Sequence, residues 1–456
     1  MQKGTEQKDH FGERISPFLK RAVFSFLLLA AIWFGRPVSG QPVSSESYGE
    51  SSAKESNIRR SPSEENSTQA SHVGESSLEE NSSEEETTAA GGASLEALTE
   101  NPALQKAARE KLKSLTLEEK IGQIFMVSPD ALTGVTAVQA GSATQTAVAD
   151  AKVGGLVYFS QNLLNPEQTK TMLDNTYRYY QELDLPLPFL AVDEEGGSVS
   201  RIASNPSFGV PSFPDMAVIG ASGDVSQAAQ AGDVIGSYLR DLGFNVDFAP
   251  VADVLTNPEN TVVADRSFGS DPELVKLMTE AEAEAMLPHG VLPTLKHFPG
   301  HGATSGDSHN GYVYTDKTLE KLLQAELVPF SEINSYAPIV MVGHISDPAV
   351  TGDDMPASLS SVFVTDLLRG RLQYSGVIIT DALNMGAVAN QYTSAQAAVM
   401  AFTAGCDVIL LPADYESARQ GIRDAIQAGK ITEDRLDASV YRILLAKEEI
   451  RYLRED

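Results

Sequence analysis

The sequence is poor in cysteine, in basic side chains and in long apolar runs, and each shortage excludes a class of protein. Its single cysteine, Cys406, excludes an internal disulfide and a cysteine-based zinc site. Only 34 lysines and arginines stand against 62 acidic residues, which gives a formal net charge of -28 over 456 residues. Because this charge repels phosphate backbones and anionic lipids, nucleic acid and a membrane surface are excluded as first partners. A neutral substrate fits better.

The longest apolar run, Ala22 to Phe34, lies near the N-terminus and is shorter than the roughly 20 residues that span a bilayer. A basic region ending in Lys20 and Arg21 precedes it, and the small residues Val38-Ser39-Gly40 follow it as a cleavage site. We therefore predict a signal peptide or an N-terminal membrane anchor over residues 1–40, and an extracellular or cell-wall-associated protein. No cysteine lies directly after the run, which argues against a lipid anchor there.

The next segment, residues 41–92, consists mostly of Ser, Glu, Thr and Asn and has almost no large apolar side chains. Such a segment cannot bury enough apolar surface to fold, so it is predicted to be a disordered linker. The remaining residues, 93–456, are expected to form a single catalytic domain, since they are long enough to bury a sizeable core.

In this domain, short runs that are apolar throughout alternate with helical stretches. Continuous apolar runs are typical of parallel strands covered on both faces. Eight of them predict an α/β fold, a (β/α)8 TIM barrel, with a doubly wound open sheet as the alternative. No glycine-rich nucleotide loop follows the first run, which disfavours the open sheet. The predicted strands lie within residues 121–127, 155–160, 187–193, 246–253, 291–298, 338–344, 376–381 and 408–412. Predicted helices include residues 166–183, 226–242, 271–287 and 318–334.

Groups suited to catalysis stand where five of the predicted strands end. In a (β/α)8 barrel the active site forms at these carboxyl ends. Any one such aspartate could simply cap the next helix, but the set as a whole indicates a site, because each charged group must be desolvated beside the others. The five positions are Asp193, Asp253, the pair Lys296-His297, His344 and Asp381.

A long polar loop with several glycines and histidines follows the fifth predicted strand. In extended backbone, residues two apart project to the same side, so Asp307 can accept a proton from His309 and orient its ring. One alternative is a metal site built from His297, His301 and His309. The spacing matches no helical histidine pair and no cysteine assists, which disfavours a metal. The other alternative is a surface loop with chance histidines.

Four segments of the sequence carry a specific resemblance. They are Lys296 to Gly302 followed by Asp307-Ser308-His309, Val192 to Gly197 with Arg201, Asp265 to Gly269, and Ile379 to Met385. Together they resemble glycoside hydrolase family 3, in its β-N-acetylhexosaminidase branch, and the similarity extends over residues 100–450.

The resemblance implies a retaining double displacement that needs neither a metal nor a cofactor. Asp381 would attack the anomeric carbon. His309, held by Asp307, would carry the proton, a role that a second carboxyl fills in most retaining glycosidases. An imidazole, with a pKa of about 6.5 in water, suits both proton transfers. The residues expected to hold the sugar are Asp193, Arg201, Arg266, Lys296 and His297.

The sequence departs from the family pattern at a few positions. Glu194 and Ser198 stand where many relatives carry Gln and Arg, and Ala382 follows the expected nucleophile, so we expect a change in sugar preference. The chain also ends soon after the eighth predicted strand, and we expect it to lack the additional C-terminal domain of many family members. This absence agrees with a histidine acid.

The expected activity is exo-hydrolysis of terminal β-linked N-acetylglucosamine (GlcNAc). An N-acetylglucosaminide phosphorylase and a broader β-glycosidase are alternatives, and a catalytically silent wall-binding module is a rival from another class. Expected export indicates peptidoglycan fragments as the substrate, and a monomer is the default assembly. We also expect the glycine-rich loop to close over the bound sugar.

Overall fold

The computed structural model of the protein describes residues 95–455. The predicted signal segment 1–40, the predicted linker 41–92 and the predicted domain boundary at residue 93 lie outside the described residues. In the described part, no helix is both long enough and apolar enough to cross a membrane. The same part holds no cluster of three or more His, Cys, Asp or Glu side chains that could bind a metal ion.

Eight parallel strands form one sheet in which each strand pairs with the next along the chain. The last strand pairs with the first, and a parallel bridge between Ile379 and Val408 joins the seventh to the eighth. The sheet is therefore closed, which confirms the predicted barrel and excludes the open sheet. The strands are β1 Phe125–Val127, β2 Gly155–Val157, β3 Phe189–Val192, β4 Val246–Asp247, β5 Leu292–Phe298, β6 Ile339–Val342, β7 Val377–Thr380 and β8 Ile409–Leu410.

Helices fill the connections between the strands and cover the barrel. The α-helices are Leu95–Thr99, Pro102–Ser114, Leu117–Gln123, Pro129–Thr133, Ser142–Ala151, Pro166–Glu182, Met216–Ser222, Val225–Leu242, Pro272–Met286, Leu319–Gln324, Pro348–Thr351, Gly386–Ala389, Ser394–Ala404, Tyr415–Gln427 and Glu433–Glu455. A π-helix spans Val362–Arg371. Every residue of the eight strands is buried, because the helices cover one face and the barrel interior the other.

The best-predicted helices have clear start and stop signals. Asp271 accepts hydrogen bonds from the N–H groups of Glu273 and Leu274, and so caps the helix that begins at Pro272. The helix Val225–Leu242 ends where Gly243 adopts a φ of 104°, a conformation that favours glycine. These two helices lie within one residue of their predicted bounds.

Several predicted elements are wrong in part. The helix expected over residues 318–334 ends at Gln324 and is followed by short 3-10 turns. Pro329 explains the break, because proline cannot donate the next helical hydrogen bond and its ring crowds the preceding turn. The first half of the run 121–127 belongs to the helix Leu117–Gln123, which a reciprocal cap between Thr116 and Glu119 starts.

Two small pairs of strands lie beyond the carboxyl ends of the barrel strands. Glu194–Gly196 pairs with Val199–Ser200 in an antiparallel hairpin after β3. Val313–Tyr314, in the long loop after β5, pairs in parallel with Ile345–Ser346 after β6. Both pairs hold connecting loops over the end of the barrel where the candidate site lies.

Candidate active site

A cavity of about 350 Å³ opens at the carboxyl ends of the barrel strands. This is the end at which (β/α)8 enzymes place their active sites, and the volume lies in the range of small-molecule pockets. Seven of the eight predicted site residues line it, and the eighth, Asp307, contacts one of them. The seven are Asp193, Arg201, Arg266, Lys296, His297, His309 and Asp381.

Asp381 directly follows β7 and is partly buried in the cavity wall. One of its carboxylate oxygens accepts a hydrogen bond of 2.7 Å from the backbone N–H of Ala382. Burial opposes its ionisation, but the neighbouring His344 and His297 together with that N–H outweigh burial, so the pKa of Asp381 lies below its ordinary value. Asp381 is therefore a carboxylate at neutral pH, as a nucleophile must be.

His309 lies on the long loop after β5, and its side chain is 67% exposed. Its ring Nδ1 lies 2.7 Å from Oδ1 of Asp307, and its backbone N–H donates to the same oxygen at 2.9 Å. Burial opposes the charge of Asp307, but these two hydrogen bonds outweigh it and lower its pKa. The ionised carboxylate fixes the proton of His309 on Nδ1, which leaves Nε2 for a substrate.

Glu195 holds two cations beside the cavity. Its side chain is 2% exposed. It accepts hydrogen bonds from Nε and Nη2 of Arg266, both at 2.7 Å, and its Oε1 lies 2.5 Å from the ammonium nitrogen of Lys296. Burial opposes its charge, but Lys296 and Arg266 outweigh burial and hold the pKa of Glu195 well below its usual range. Bidentate pairing of this kind fixes the guanidinium plane as well as its charge.

Asp193 forms a second contact with the same lysine. The ammonium group of Lys296 lies 3.0 Å from Oδ1 of Asp193, and a guanidinium nitrogen of Arg201 lies 3.6 Å from Oδ2. Nε of Arg201 is buried and has no hydrogen-bond partner within residues 95–455. A buried unpaired donor at a cavity wall is what a polar ligand would satisfy.

A buried carboxylate orients the histidines that follow β5. Asp253, which is fully buried, accepts from Nδ1 of His297 at 2.7 Å and from the backbone N–H of His301 at 2.5 Å. Burial opposes its ionisation, but His297 outweighs burial and lowers the pKa of Asp253. Asp253 was expected at the end of a strand, whereas β4 ends at Asp247, so Asp253 acts from the loop that follows.

His344, at the end of β6, is also fully buried. Its Nε2 lies 2.9 Å from the carbonyl oxygen of Ala382, and its Nδ1 lies 2.7 Å from the hydroxyl of Ser358. A carbonyl oxygen can only accept, so Nε2 carries a proton, while the hydroxyl of Ser358 pairs with Nδ1. The imidazole therefore supports the backbone beside Asp381.

These contacts depend on motifs that also identify the family of the chain. The sequence profile described as Glycosyl hydrolase family 3 N terminal domain matches residues 116–446. The chain belongs to glycosyl hydrolase family 3. The resemblance seen in the sequence is thereby confirmed.

Two named relatives are similar to this chain over most of the barrel. Beta-hexosaminidase A of Pseudoalteromonas piscicida is 36% identical over 324 residues, which cover 65% of this chain and 54% of the relative. Beta-hexosaminidase LpqI of Mycobacterium tuberculosis is 36% identical over 343 residues, which cover 73% of this chain and 83% of the relative. The chain thus spans about half the length of the first and most of the second.

A solved family 3 structure shows the same architecture. The glycoside hydrolase family 3 beta-N-acetylglucosaminidase from Paenibacillus sp. str. FPU-7 superposes with a TM-score of 0.70 at 37% identity. The match covers 74% of this chain and 63% of that protein.

The sequence analysis did not single out Glu195, which lines the cavity next to Glu194, a residue that does not. Glu194 accepts backbone hydrogen bonds from Arg201, Ile202 and Ala203 and does not line the cavity. Consecutive residues of a strand face opposite sides, so only one of the two glutamates can reach the cavity. Glu194 therefore holds the backbone of residues 201–203 and does not contact a ligand in the cavity, and the expected change in sugar preference stays a prediction. Ser198 does not line the cavity either.

Proposed function

We propose that this family 3 chain is a retaining exo-β-N-acetylglucosaminidase that releases terminal β-linked GlcNAc through a covalent sugar ester of Asp381. One observation carries the proposal, namely that a single cavity at the carboxyl end of the barrel contains both Asp381 and His309, the latter hydrogen-bonded to Asp307. The beta-hexosaminidase and beta-N-acetylglucosaminidase names of the relatives support the same activity.

In the first step, a carboxylate oxygen of Asp381 attacks the anomeric carbon. The bond from that carbon to the leaving oxygen breaks, and Nε2 of His309 gives its proton to that oxygen. Asp307 accepts from Nδ1, and so stabilises the charged ring that is required before transfer. Positioned acid catalysis of this kind contributes roughly 10²–10⁴ to the rate.

In the second step, His309 removes a proton from water, and the water oxygen attacks the anomeric carbon. The bond to Asp381 breaks, the carboxylate is restored, and the sugar leaves with its original configuration. An imidazole is neutral when it acts as the base, so it adds no second anion beside Asp381.

The polar groups that line the cavity together with Asp381 would hold the sugar. Lys296 and Arg266 are fixed by Glu195, and His297 is fixed by Asp253, so these donors need little reorganisation when the substrate binds. Asp193 would accept hydrogen bonds from sugar hydroxyl groups, because its contacts with Lys296 and Arg201 leave lone pairs of the carboxylate free.

The site of action proposed here is outside the cytoplasm, on peptidoglycan fragments or related GlcNAc-containing oligosaccharides. The basic, apolar and small-residue pattern of residues 1–40 supports export. We further propose a monomer whose only membrane attachment is N-terminal. Fractionation of cells producing the full chain tests the location, and light scattering of the purified protein tests the monomer.

The decisive assay is a panel of aryl β-glycosides that includes glucoside, xyloside and N-acetylglucosaminide. We expect preferential cleavage of the N-acetylglucosaminide and loss of nearly all turnover in Asp381→Ala. Asp366→Ala, which removes an exposed aspartate, is the matched control and should keep wild-type turnover. Adding phosphate should leave the product as the free sugar, whereas a sugar phosphate would identify a phosphorylase. Substantial residual turnover in Asp381→Ala would refute the nucleophile assignment.

A further inference from the structure

The backbone that follows Asp381 is fixed to the barrel on both sides. The N–H of Asp381 donates to the carbonyl of Val342 in β6 at 2.8 Å, and the N–H of Leu383 donates to the carbonyl of Leu410 in β8 at 2.9 Å. Hydrogen bonds to two different strands leave this segment little freedom to shift. It can therefore serve as a fixed reference for whatever binds to it.

The loop that carries His309 binds to the continuation of this same segment. The N–H of Gly386 donates to the carbonyl of His309 at 3.1 Å, and the N–H of Ala387 donates to the carbonyl of Ser308 at 3.1 Å. Both bonds are between backbone atoms, so a change of side-chain rotamer cannot break them. They connect the proposed proton carrier to the proposed nucleophile through five residues of anchored chain, 381–385.

The approach of the two segments is so close that it requires a glycine at position 386. A Cβ added there would lie 2.6 Å from the carbonyl oxygen of His309 and 3.1 Å from the carbonyl carbon of Asn310. Non-bonded carbon atoms prefer separations of roughly 3.5–4.0 Å. Gly386 does not have a positive φ, so contact with the loop, and not backbone conformation, excludes a side chain.

We propose that Gly386 is a positioning residue, which sets the place of His309 relative to Asp381 by letting the two backbones dock. The inference rests on the proposed function, because it takes His309 as the proton carrier. Asp307 orients the His309 ring within its own loop, whereas Gly386 determines where that loop sits. A correctly oriented imidazole at the wrong distance would not protonate the leaving oxygen.

Replacing Gly386 by alanine tests this proposal. Relief of the 2.6 Å contact requires the loop to move by roughly 1 Å, a misplacement that can cost about 10²-fold in rate. We expect G386A to lose about that factor in kcat/KM on a GlcNAc disaccharide, whose leaving group needs a proton. The loss should be much smaller on a dinitrophenyl glycoside, which leaves as a stable anion.

Azide separates a displaced proton carrier from general damage. Azide is already an anion, so it can attack the anomeric carbon of the sugar ester and release Asp381 without help from a base. We expect azide to raise the turnover of G386A on the dinitrophenyl glycoside and to yield the β-glycosyl azide. A displaced Asp381 would not be rescued in this way.

The same loop contains a matched control. Gly311 has no positive φ, and a Cβ added to it would meet nothing within 4 Å, so G311A should behave as wild type. Amide hydrogen exchange of residues 304–316 gives a readout that does not depend on catalysis, and it should be faster in G386A and unchanged in G311A.

The outcomes are distinct. If the wild type is active and G386A is equally active, the role of Gly386 is overturned and the proposed function stands. The same conclusion follows if the wild type is active and G386A is equally impaired on both substrates and is not rescued by azide. A wild type that cleaves no glycoside overturns the proposed function and the positioning role together. Faster exchange in G386A would in that case still confirm the docking contact.

Discussion

The buried carboxylate of Glu195 holds Lys296 and Arg266 in place, and its neutralisation by Glu195→Gln gives a quantitative test of the site. Lys296 is 3% exposed and Arg266 17% exposed, so water can do little to replace the lost charge. The amide nitrogen of glutamine would also face a donor, because Arg266 uses both carboxylate oxygens. Removal of one partner from a buried ion pair costs about 3–5 kcal/mol.

The lower end of that range applies, because Lys296 keeps Asp193 at 3.0 Å. A loss of about 3 kcal/mol is more than a hundredfold in the unfolding equilibrium. With an m-value of about 3 kcal/mol/M, it lowers the urea midpoint by about 1 M at pH 7. Glu259→Gln, at an exposed glutamate, is the control and should change the free energy of unfolding by no more than about 0.5 kcal/mol.

The pH dependence of this difference has a definite sign. The pKa of Glu195 is lowered in the folded state, so its contribution to stability is complete above the unfolded value of about 4.3 and is lost as the pH falls below it. The gap in unfolding free energy between wild type and Glu195→Gln should therefore be largest at neutral pH and narrow progressively below about pH 4. A gap of the same size at pH 7 and pH 3, or none at pH 7, would refute this account.

Two further predictions concern the proton carrier and the histidine support. His309→Ala should lower kcat/KM for a GlcNAc disaccharide by a factor of about 10²–10⁴ and should lower kcat/KM for an activated aryl glycoside much less. Equal losses on the two substrates would count against the acid role. Asp253→Asn should destabilise the fold by about 1–3 kcal/mol and raise KM more than it lowers kcat, because His297 loses its buried ionic acceptor. An unchanged KM would show that His297 does not hold the sugar.

The closed barrel could be predicted because its physical signal is local. A strand covered on both faces must be apolar throughout, and each of the eight predicted runs contains a barrel strand. The family motifs placed Asp381 at the end of one strand and His309 in the loop after another, and both line the same cavity. Helix ends marked by an Asp cap or a glycine were predicted to within one residue.

Other features could not be predicted, because they depend on contacts between distant parts of the chain. Glu195 and Arg266 are 71 residues apart, and nothing near either one indicates their pairing. Two adjacent glutamates, Glu194 and Glu195, follow β3 in the sequence. Only the hairpin that they form determines which of them faces the cavity. The docking of His309 onto Gly386 likewise requires the loop after β5 to meet the segment after β7.

The sequence by itself determined the barrel, the family and the residue types that the chemistry needs, because apolar runs and short motifs are local properties of a chain. Only the tertiary structure decided which charges pair, which carboxylates are held ionised, and where the loop of His309 rests. Folding of the barrel buries Glu195, Lys296 and Asp253 and brings them within hydrogen-bond distance of residues far away in sequence. Their electrostatic and positional roles arise from that proximity.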